Sequence, residues 1–245
     1  MPVGSREERL NRTFVVLSDA LATGFDVIGL AHLLVESCAE WTTEAEIALA
    51  LRSPRGDLRV LAARHGQRRL TGLVEHGGDD DPWHECLRTG RPVTHRLPDG
   101  DDRRRPEFSA RARSAGFAVV YAFPLRPRGM TIGVLALAGD RTEILAAEDE
   151  GVVRAIADTA SVGIIEARAA ISSVDVANAV QHVLHVHAVL DQATAMVAET
   201  RQIDMDRALA MIVEHARRRQ VPVTTVAGDI ANRLISAASF PGPSN

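Results

Sequence analysis

The chain has 245 residues, of which 46% are hydrophobic and only 4% aromatic, so its core must consist mainly of Val, Leu, Ile and Ala. Its net charge is −4 and it contains no Lys, which excludes binding of nucleic acid or anionic membranes through overall charge. Two cysteines, Cys38 and Cys86, do not make a disulfide framework, and no apolar run reaches the roughly 20 residues of a membrane span. These features predict a soluble, cytoplasmic protein.

The first 140 residues alternate helix and strand signals. Apolar residues recur at helical spacing in some segments and at strand spacing in others, and Pro, Gly and Asp separate the segments. The predicted helices are 9–22, 26–40, 70–75 and 83–89, and the predicted strands are 46–51, 58–65, 92–96, 117–126 and 131–138. We therefore expect an α+β fold, with an antiparallel sheet of about five strands flanked by helices.

Residues 97–106, with the sequence LPDGDDRRRP, have no apolar periodicity. Charged runs of this kind are usually solvated, so the segment is predicted to be a surface loop that connects two elements. A loop that gates a ligand site is the alternative.

A long helical pattern extends from residue 146 to residue 200, with apolar residues stepping by three and four. Such a narrow seam of small residues predicts a coiled-coil helix that pairs with a second copy, and hence a homodimer. Ser172 and Ser173 form either a loop between two helices or a polar turn within one. The alternative is one helix that covers the sheet, followed by a separate bundle. The predicted seam consists of Val153, Ile156, Ala160, Ala167, Val174, Val180, Val183, His187 and Leu190.

Two shorter helices end the chain. Asp204 can cap a helix that runs to about Arg219, and Pro222 can open a last helix over 224–238. The Pro- and Gly-containing end, FPGPSN, is predicted to be disordered.

The sequence resembles two known modules. Residues 81–93 (DPWHECLRTGRPV), the Pro106-Glu107-Phe108 triplet and residues 122–137 (AFPLRPRGMTIGVLAL) are similar to a GAF domain of the type found in actinobacterial GAF-ANTAR regulators. The C-terminal part resembles an ANTAR domain, the three-helix RNA-binding module of transcription antiterminators. Its pattern is carried by Leu184, Leu190, Ala193, Ala208, Leu209, Met211, Ile212, Ala216, Val223, Val226 and Ala227.

This resemblance implies a domain organisation. A disordered N-terminus would span 1–9, a GAF sensor domain 10–170, an all-α three-helix ANTAR-like domain 171–238, and a disordered tail 239–245. It further implies a dimeric regulator, in which a ligand or partner sensed by the GAF domain controls binding of a two-hairpin RNA by the ANTAR domain. Bound RNA could not form a terminator, and transcription would continue.

The RNA-binding residues are predicted from charge and from the resemblance together. Between residues 175 and 235 there are seven acidic residues and six Arg, and RNA binding depends on cations that neutralise phosphates. The candidates are Arg217, Arg218, Arg219 and Arg233, with Thr194 at a position where the family usually has Lys. This chain also has His187 and Val213 where the family usually has Arg, and Ala195 where it has Gly.

Because these exchanges remove features that bind phosphate or allow close backbone approach, a second function stays open. In that alternative, the C-terminal bundle no longer binds RNA and instead dimerises or docks a protein partner in signalling. The Arg triplet itself can also be read as a solvated helix end whose cations favour the helix dipole.

Other groups of residues in the sequence do not indicate a metal site or a catalytic site. His182, His185 and His187 do not complete a metal site, because His187 points away from the other two and no Cys or carboxylate joins them. The sequence has no phosphate-binding loop, nucleophile elbow or paired carboxylates, so we expect neither an enzyme nor a bound cofactor. Trp83 and Tyr121 are candidate residues of a ligand pocket in the sensor, and both cysteines are expected to be buried, unreactive thiols.

Overall fold

A computed structural model describes residues 5–22, 27–53, 55–64, 68–97, 102–169, 176–219 and 221–236. The predicted disordered tail 239–245 therefore lies outside the described residues, as do Ser172 and Ser173. The prediction of a disordered N-terminus over 1–9 is wrong for residues 6–9, which belong to a helix. Side chains are described for most of these residues, with the exceptions of 19–22, 27, 166–169, 176–185 and 217.

Five strands form one antiparallel sheet in the order β2-β1-β5-β4-β3. Their bounds are β1 Glu46–Arg52, β2 Leu58–Ala63, β3 Val93–Arg96, β4 Val119–Leu125 and β5 Gly133–Gly139. The α+β prediction and the number of strands are confirmed. The strands β2 and β3 form the two edges, so the longest and most apolar strands lie in the middle.

Nine helices occur among the described residues: α1 Arg6–Ala22, α2 Val27–Ala39, α3 Arg68–Glu75, α4 Pro82–Thr89, α5 Pro106–Ser114, α6 Glu150–Ala169, α7 Val176–Arg201, α8 Met205–Arg219 and α9 Val223–Ala231. None of the described helices has the length and apolar character needed to cross a membrane.

Helices cover both faces of the sheet, and the strands place side chains of different size on the two faces. On β1 and β5, larger residues such as Leu49 and Leu135 face the layer of α1, α2 and α6. The alternate residues, such as Ala50 and Ala136, are mostly small and face α3, α4 and α5. Because successive side chains of a strand point to opposite faces, one strand supplies both cores. The alanine-lined face leaves room for bulky side chains from the helices above it.

The helices α7, α8 and α9 form a three-helix bundle that packs on the sheet domain. Its core contains mostly small and branched apolar residues, among them Ala193, Val197, Ala208, Ile212, Ala216, Val226 and Ile230. Both α7 and α9 contact α2, and α7 also contacts the edge strand β2. The bundle core and the core between α2, α6 and the sheet are therefore one continuous apolar cluster.

Two element predictions were wrong in detail. The helix α5 was not predicted, because its sequence PEFSARARS has three charged residues in nine and little apolar periodicity. The last helix ends at Ala231, well before residue 238, because Arg233 takes a left-handed backbone conformation with φ of 59°. The N–H groups of Leu234 and Ile235 then return to the carbonyl of Asp229 and close the helix end.

Candidate functional site

Two of the predicted RNA-binding arginines lie on the free surface of the bundle. Arg218 and Arg219 are exposed at the C-terminal end of α8. The guanidinium Nε of Arg218 lies 3.2 Å from a carboxylate oxygen of Glu214, one helical turn earlier. An exposed i,i+4 pair of this kind contributes only about 0.3–0.5 kcal/mol, so it does not prevent Arg218 from binding a phosphate. The side chain of Arg217 lies outside the described ones.

Arg207 belongs to the same face of α8 and was missed by the sequence analysis. One face of α8 contains residues 207, 210, 214 and 218, which follow one another at helical spacing. On this face Arg207, Ala210 and Arg218 are exposed, and Glu214 is half-buried. The spacing of eleven residues between Arg207 and Arg218 is the signal that could have identified it. This face of α8 therefore carries cations near both of its ends.

The structure does not bring Arg233 or Thr194 to the arginines at the end of α8. Arg233 is exposed, but it follows α9, whose nine residues extend about 14 Å from the turn after Arg219. Thr194 is only 4% exposed, and its hydroxyl donates a hydrogen bond to the Leu190 carbonyl, 2.8 Å away. In this arrangement Thr194 faces the sheet domain, and its assignment to RNA binding is corrected on that ground.

The predicted ligand-pocket residues lie on opposite faces of the sheet. Trp83, from α4, is fully buried on the alanine-lined face, where its ring packs edge to face with Phe108 at a centroid distance of 5.4 Å. Tyr121, from β4, faces α2 and α6 and stacks on Phe123. The two residues cannot line one pocket, because the sheet lies between them.

Polar contacts hold α5 against the sheet domain. The Asp102 carboxylate accepts hydrogen bonds from the Ser109 hydroxyl at 2.6 Å and from the backbone N–H groups of Arg104 and Arg105. Nε2 of His95, on β3, lies 3.0 Å from both Ser109 Oγ and an Asp102 oxygen. These three side chains do not form an activated nucleophile, because the hydroxyl proton points to Asp102 and Ser109 is fully buried.

This cluster corrects the prediction of a solvated connector over 97–106. Residues 98–101 lie outside the described part, but Asp102 is buried and the Arg105 guanidinium contacts the Asp80 carbonyl and the Glu85 carboxylate. A buried carboxylate with several hydrogen-bond donors fixes the local backbone. The second half of the segment is therefore a structural anchor that starts α5.

We expect Asp102→Asn to lower the free energy of unfolding by about 2 kcal/mol at pH 7, because charge-assisted hydrogen bonds are lost. Hydrogen bonds, first of all from Ser109, lower the pKa of Asp102 to about 2. The charged carboxylate therefore stabilises the fold above about pH 4, and this contribution is lost as the pH falls toward 2. Urea unfolding at several pH values should show that the difference in free energy of unfolding between wild type and Asp102→Asn becomes smaller over that range.

Glu107→Gln is the matched control for this comparison, since Glu107 is exposed in the first turn of the same helix. Its stability should follow that of the wild type at every pH. If the difference in free energy of unfolding between wild type and Asp102→Asn stays constant from pH 7 to pH 2, the carboxylate does not have this stabilising role.

Comparison with known proteins decides the family. A model described as "GAF domain" matches residues 26–164, which is more than half of the chain. The chain belongs to the GAF domain family. A second model, described as "ANTAR domain", matches residues 178–230. The predicted GAF plus ANTAR architecture is confirmed, and the ANTAR domain corresponds to the bundle of α7, α8 and α9.

Solved structures share the fold of the GAF domain at low sequence identity. The chromophore-binding domain of the unusual bacteriophytochrome RpBphP3 from R. palustris is 13% identical, with a TM-score of 0.52, over 68% of this chain and 64% of that one. A GAF domain/HD domain protein from Geobacter sulfurreducens is 15% identical, with a TM-score of 0.49, over 61% of this chain and 98% of that one. No curated protein matches this chain. At these identities the likeness concerns the fold alone.

The ANTAR pattern in this chain is mainly a packing pattern. Of the residues that carry the resemblance, Leu190, Ala193, Ala208, Ile212 and Ala216 are buried in the bundle, as are Val223, Val226 and Ala227. They show that the three helices pack as a unit. Because these side chains are buried, they cannot contact RNA.

The predicted dimer seam is wrong for the residues whose side chains are described. Val153, Ile156 and Ala160 are 0–1% exposed because they pack on the GAF domain's own sheet, and Leu190 is 1% exposed in the same apolar cluster. His187 lies between the two domains, with Nε2 3.7 Å from Asp191. Heptad spacing arises equally when a helix packs on its own sheet. Val174 and the side chains of Ala167, Val180 and Val183 lie outside the described set.

Both cysteines are buried and free, as predicted. Burial raises the pKa of the Cys86 thiol to about 12 and raises that of Cys38 as well. Since the thiolate is the reactive form, neither cysteine has the properties of a nucleophile or an attachment site.

Proposed function

We propose that this protein is a regulator whose ANTAR domain binds hairpin RNA and causes transcription antitermination under the control of its GAF domain. The observation that carries the proposal is the exposure of Arg218 and Arg219, next to Arg217, at the end of α8 in the matched ANTAR domain. Guanidinium groups bind phosphate oxygens through two parallel hydrogen bonds and cannot lose their charge.

The bundle as a whole is not basic, so the proposal concentrates RNA binding on one face. From residue 175 to 235 the acidic residues slightly outnumber the arginines. Repulsion by these acids would keep RNA away from most of the bundle. The face of α8 that carries Arg207 and Arg218 presents cations outward, and a hairpin held there cannot pair with the strand that completes a terminator.

In the same proposal, the GAF domain receives the signal and the protein catalyses no reaction. A small molecule or a signalling protein would bind the GAF domain and change how the ANTAR domain presents α8. Since nascent RNA is the target, the protein would act in the cytoplasm.

In vitro transcription tests this function directly. A template encodes a promoter, two short hairpins and an intrinsic terminator, and readthrough transcripts are measured as wild-type protein is added. The proposal expects readthrough to rise with protein, and to stay at its basal level on a template whose hairpin loops are replaced. Equal readthrough from both templates, or none at any protein concentration, would contradict it.

We further propose that the protein is a homodimer, through a face other than the predicted seam. Val15 is 67% exposed on α1 and Val162 is 45% exposed on α6. The two helices contact each other and start side by side, since Arg6 Nε donates to Asp149 at 3.0 Å. Phe14, next to Val15 in the chain, is 41% exposed. An exposed apolar patch on paired helices is typical of a protein–protein contact.

Val15→Glu combined with Val162→Glu should therefore convert a dimer of 26.4 kDa subunits into monomers, because each interface would contain four buried carboxylates. Light scattering coupled to gel filtration measures the mass. Met130→Glu is the control, because Met130 is also apolar and 56% exposed but lies outside these helices. A wild type that is monomeric at high concentration would overturn the dimer.

The second candidate function, a module that docks a protein partner without binding RNA, rests on a different observation. Leu234 is 75% exposed and Val221 is 37% exposed, at the two ends of α9. Apolar side chains at these positions cannot bind phosphate. If the transcription assay fails, this surface is the place to seek a partner.

A further inference from the structure

A groove separates the GAF domain from the ANTAR domain, on the side of the edge strand β2. It has a volume of about 200 Å³. The GAF wall consists of residues 60–63 on β2 with His32, Arg64, Arg68 and Thr71. The ANTAR wall is formed by residues of α7 and α8, including Asp191, Met205, Asp206 and Leu209. Small-molecule sites occur preferentially where two domains meet, because both can then contribute side chains.

The more usual place for a ligand, above the alanine-lined face of the sheet, is occupied by the protein itself. Trp83 and Phe108 fill it, and both are fully buried. The anchors of α5 keep Phe108 in place, since Arg111 bonds to the buried Asp81 at 2.6 Å and Asp102 bonds to Ser109. A ligand there would have to displace two aromatic side chains. The groove between the domains is already open.

The two walls of the groove carry charges of opposite sign, with Arg64 and Arg68 on the GAF side and Asp191 and Asp206 on the ANTAR side. Arg68, at the start of α3, is exposed, and no described carboxylate forms an ion pair with it. Asp191, on α7, has a 65% exposed side chain whose ion-pair partner among the described residues is His187, at 3.7 Å. Because these charges on opposite walls do not neutralise each other, Arg68 can pair with an anionic group of a ligand and Asp191 with a cationic group.

Between these charges the groove is mainly apolar. Met205 and Leu209 on the ANTAR wall, and Val60 on the GAF wall, line it. A volume of about 200 Å³ equals that of roughly seven water molecules in the liquid. This suits a single amino acid and is too small for a nucleotide.

We propose that the groove binds a free α-amino acid with an apolar side chain, whose carboxylate pairs with Arg68, whose ammonium group pairs with Asp191 and whose side chain packs on Met205 and Leu209. Such a ligand would contact both domains and hold the ANTAR domain against the GAF domain. The inference builds on the proposed function, since it identifies the signal that the regulator receives.

Isothermal titration of the full-length protein with L-leucine, without RNA, tests this inference. L-leucine should bind, while L-leucinamide, which lacks the carboxylate, and N-acetyl-L-leucine, which lacks the ammonium group, should each bind about ten-fold more weakly or worse. Arg68→Gln should weaken binding of L-leucine similarly and remove its advantage over L-leucinamide. Asp191→Asn should remove its advantage over N-acetyl-L-leucine.

Arg91→Gln is the matched control, because Arg91 is equally exposed but precedes β3 at the far edge of the sheet. It should bind L-leucine like the wild type. Failure of wild type to bind L-leucine at millimolar concentration, or undiminished binding by both groove variants, would overturn the inference. Because no RNA is present, this result is independent of the transcription assay, and either proposal can fail alone.

Discussion

Replacing Arg217, Arg218 and Arg219 together by Ala should abolish most RNA binding. Each arginine that contacts a phosphate releases counterions on binding, so the logarithm of the affinity falls linearly with the logarithm of the salt concentration. Removing up to three such contacts should lower the steepness of that line by about 2–3 and weaken binding at least about ten-fold at moderate salt. Gel-shift titrations of a two-hairpin RNA at several salt concentrations measure both quantities.

The charge-matched control removes three arginines from the GAF domain. Arg88, Arg91 and Arg96 are exposed around β3, at the edge of the sheet opposite to the bundle. Their replacement by Ala changes the net charge by the same amount. If this variant loses as much affinity as the triplet variant, binding reflects overall charge and not a surface on α8.

Trp83→Ala should lower the free energy of unfolding by about 3–5 kcal/mol, a large part of the total for a domain of this size. Trp83 is fully buried, and its removal would leave a cavity beside Phe108 that the alanines of the sheet are too small to fill. Urea or thermal unfolding followed by circular dichroism measures the loss. The result also bears on function, because a residue that lined an open ligand pocket would contribute much less to stability.

Trp83→Phe separates lost volume from lost aromatic contact, since it keeps a ring against Phe108, and should lose clearly less stability than Trp83→Ala. Leu87→Ala, at a partly buried position of the same helix, serves as the control for helix content. A Trp83→Ala variant as stable as the Leu87→Ala variant would show that the space around Trp83 is not a packed core.

The strands and most helices could be predicted because local patterns determine them. The alternation of Leu and Ala in ALAL on β1 and in VLALA on β5 is a two-residue period, and it gives each sheet face its own kind of side chain. The ends of α4 are set by Pro82 and by Gly90, which takes a left-handed conformation. These are short-range signals, and the residues that carry them are adjacent in the chain.

The candidate site was less predictable, because it depends on which partner each surface meets. Val153 and Ile156 have the spacing of a coiled coil, but the same spacing fits a helix that lies on a sheet. Asp102 lies in a charged run that suggests a solvated loop, and only its contacts with His95 and Ser109, each seven residues away, make it an anchor. Arg68 and Asp191 are separated by more than a hundred residues, so no sequence pattern could place them on the two walls of one groove.

The salt dependence of RNA binding by the full-length wild-type protein tests the central claim most directly. A fluorescently labelled two-hairpin RNA is titrated with protein at salt concentrations from about 50 to 300 mM, and the affinity is plotted against salt on logarithmic axes. If the arginines of α8 bind RNA, we expect measurable binding at low salt, a linear decline with a slope set by a few phosphate contacts, and weaker binding of a scrambled RNA of equal length. Absence of binding at the lowest salt concentration, with protein that is folded by circular dichroism, would contradict it.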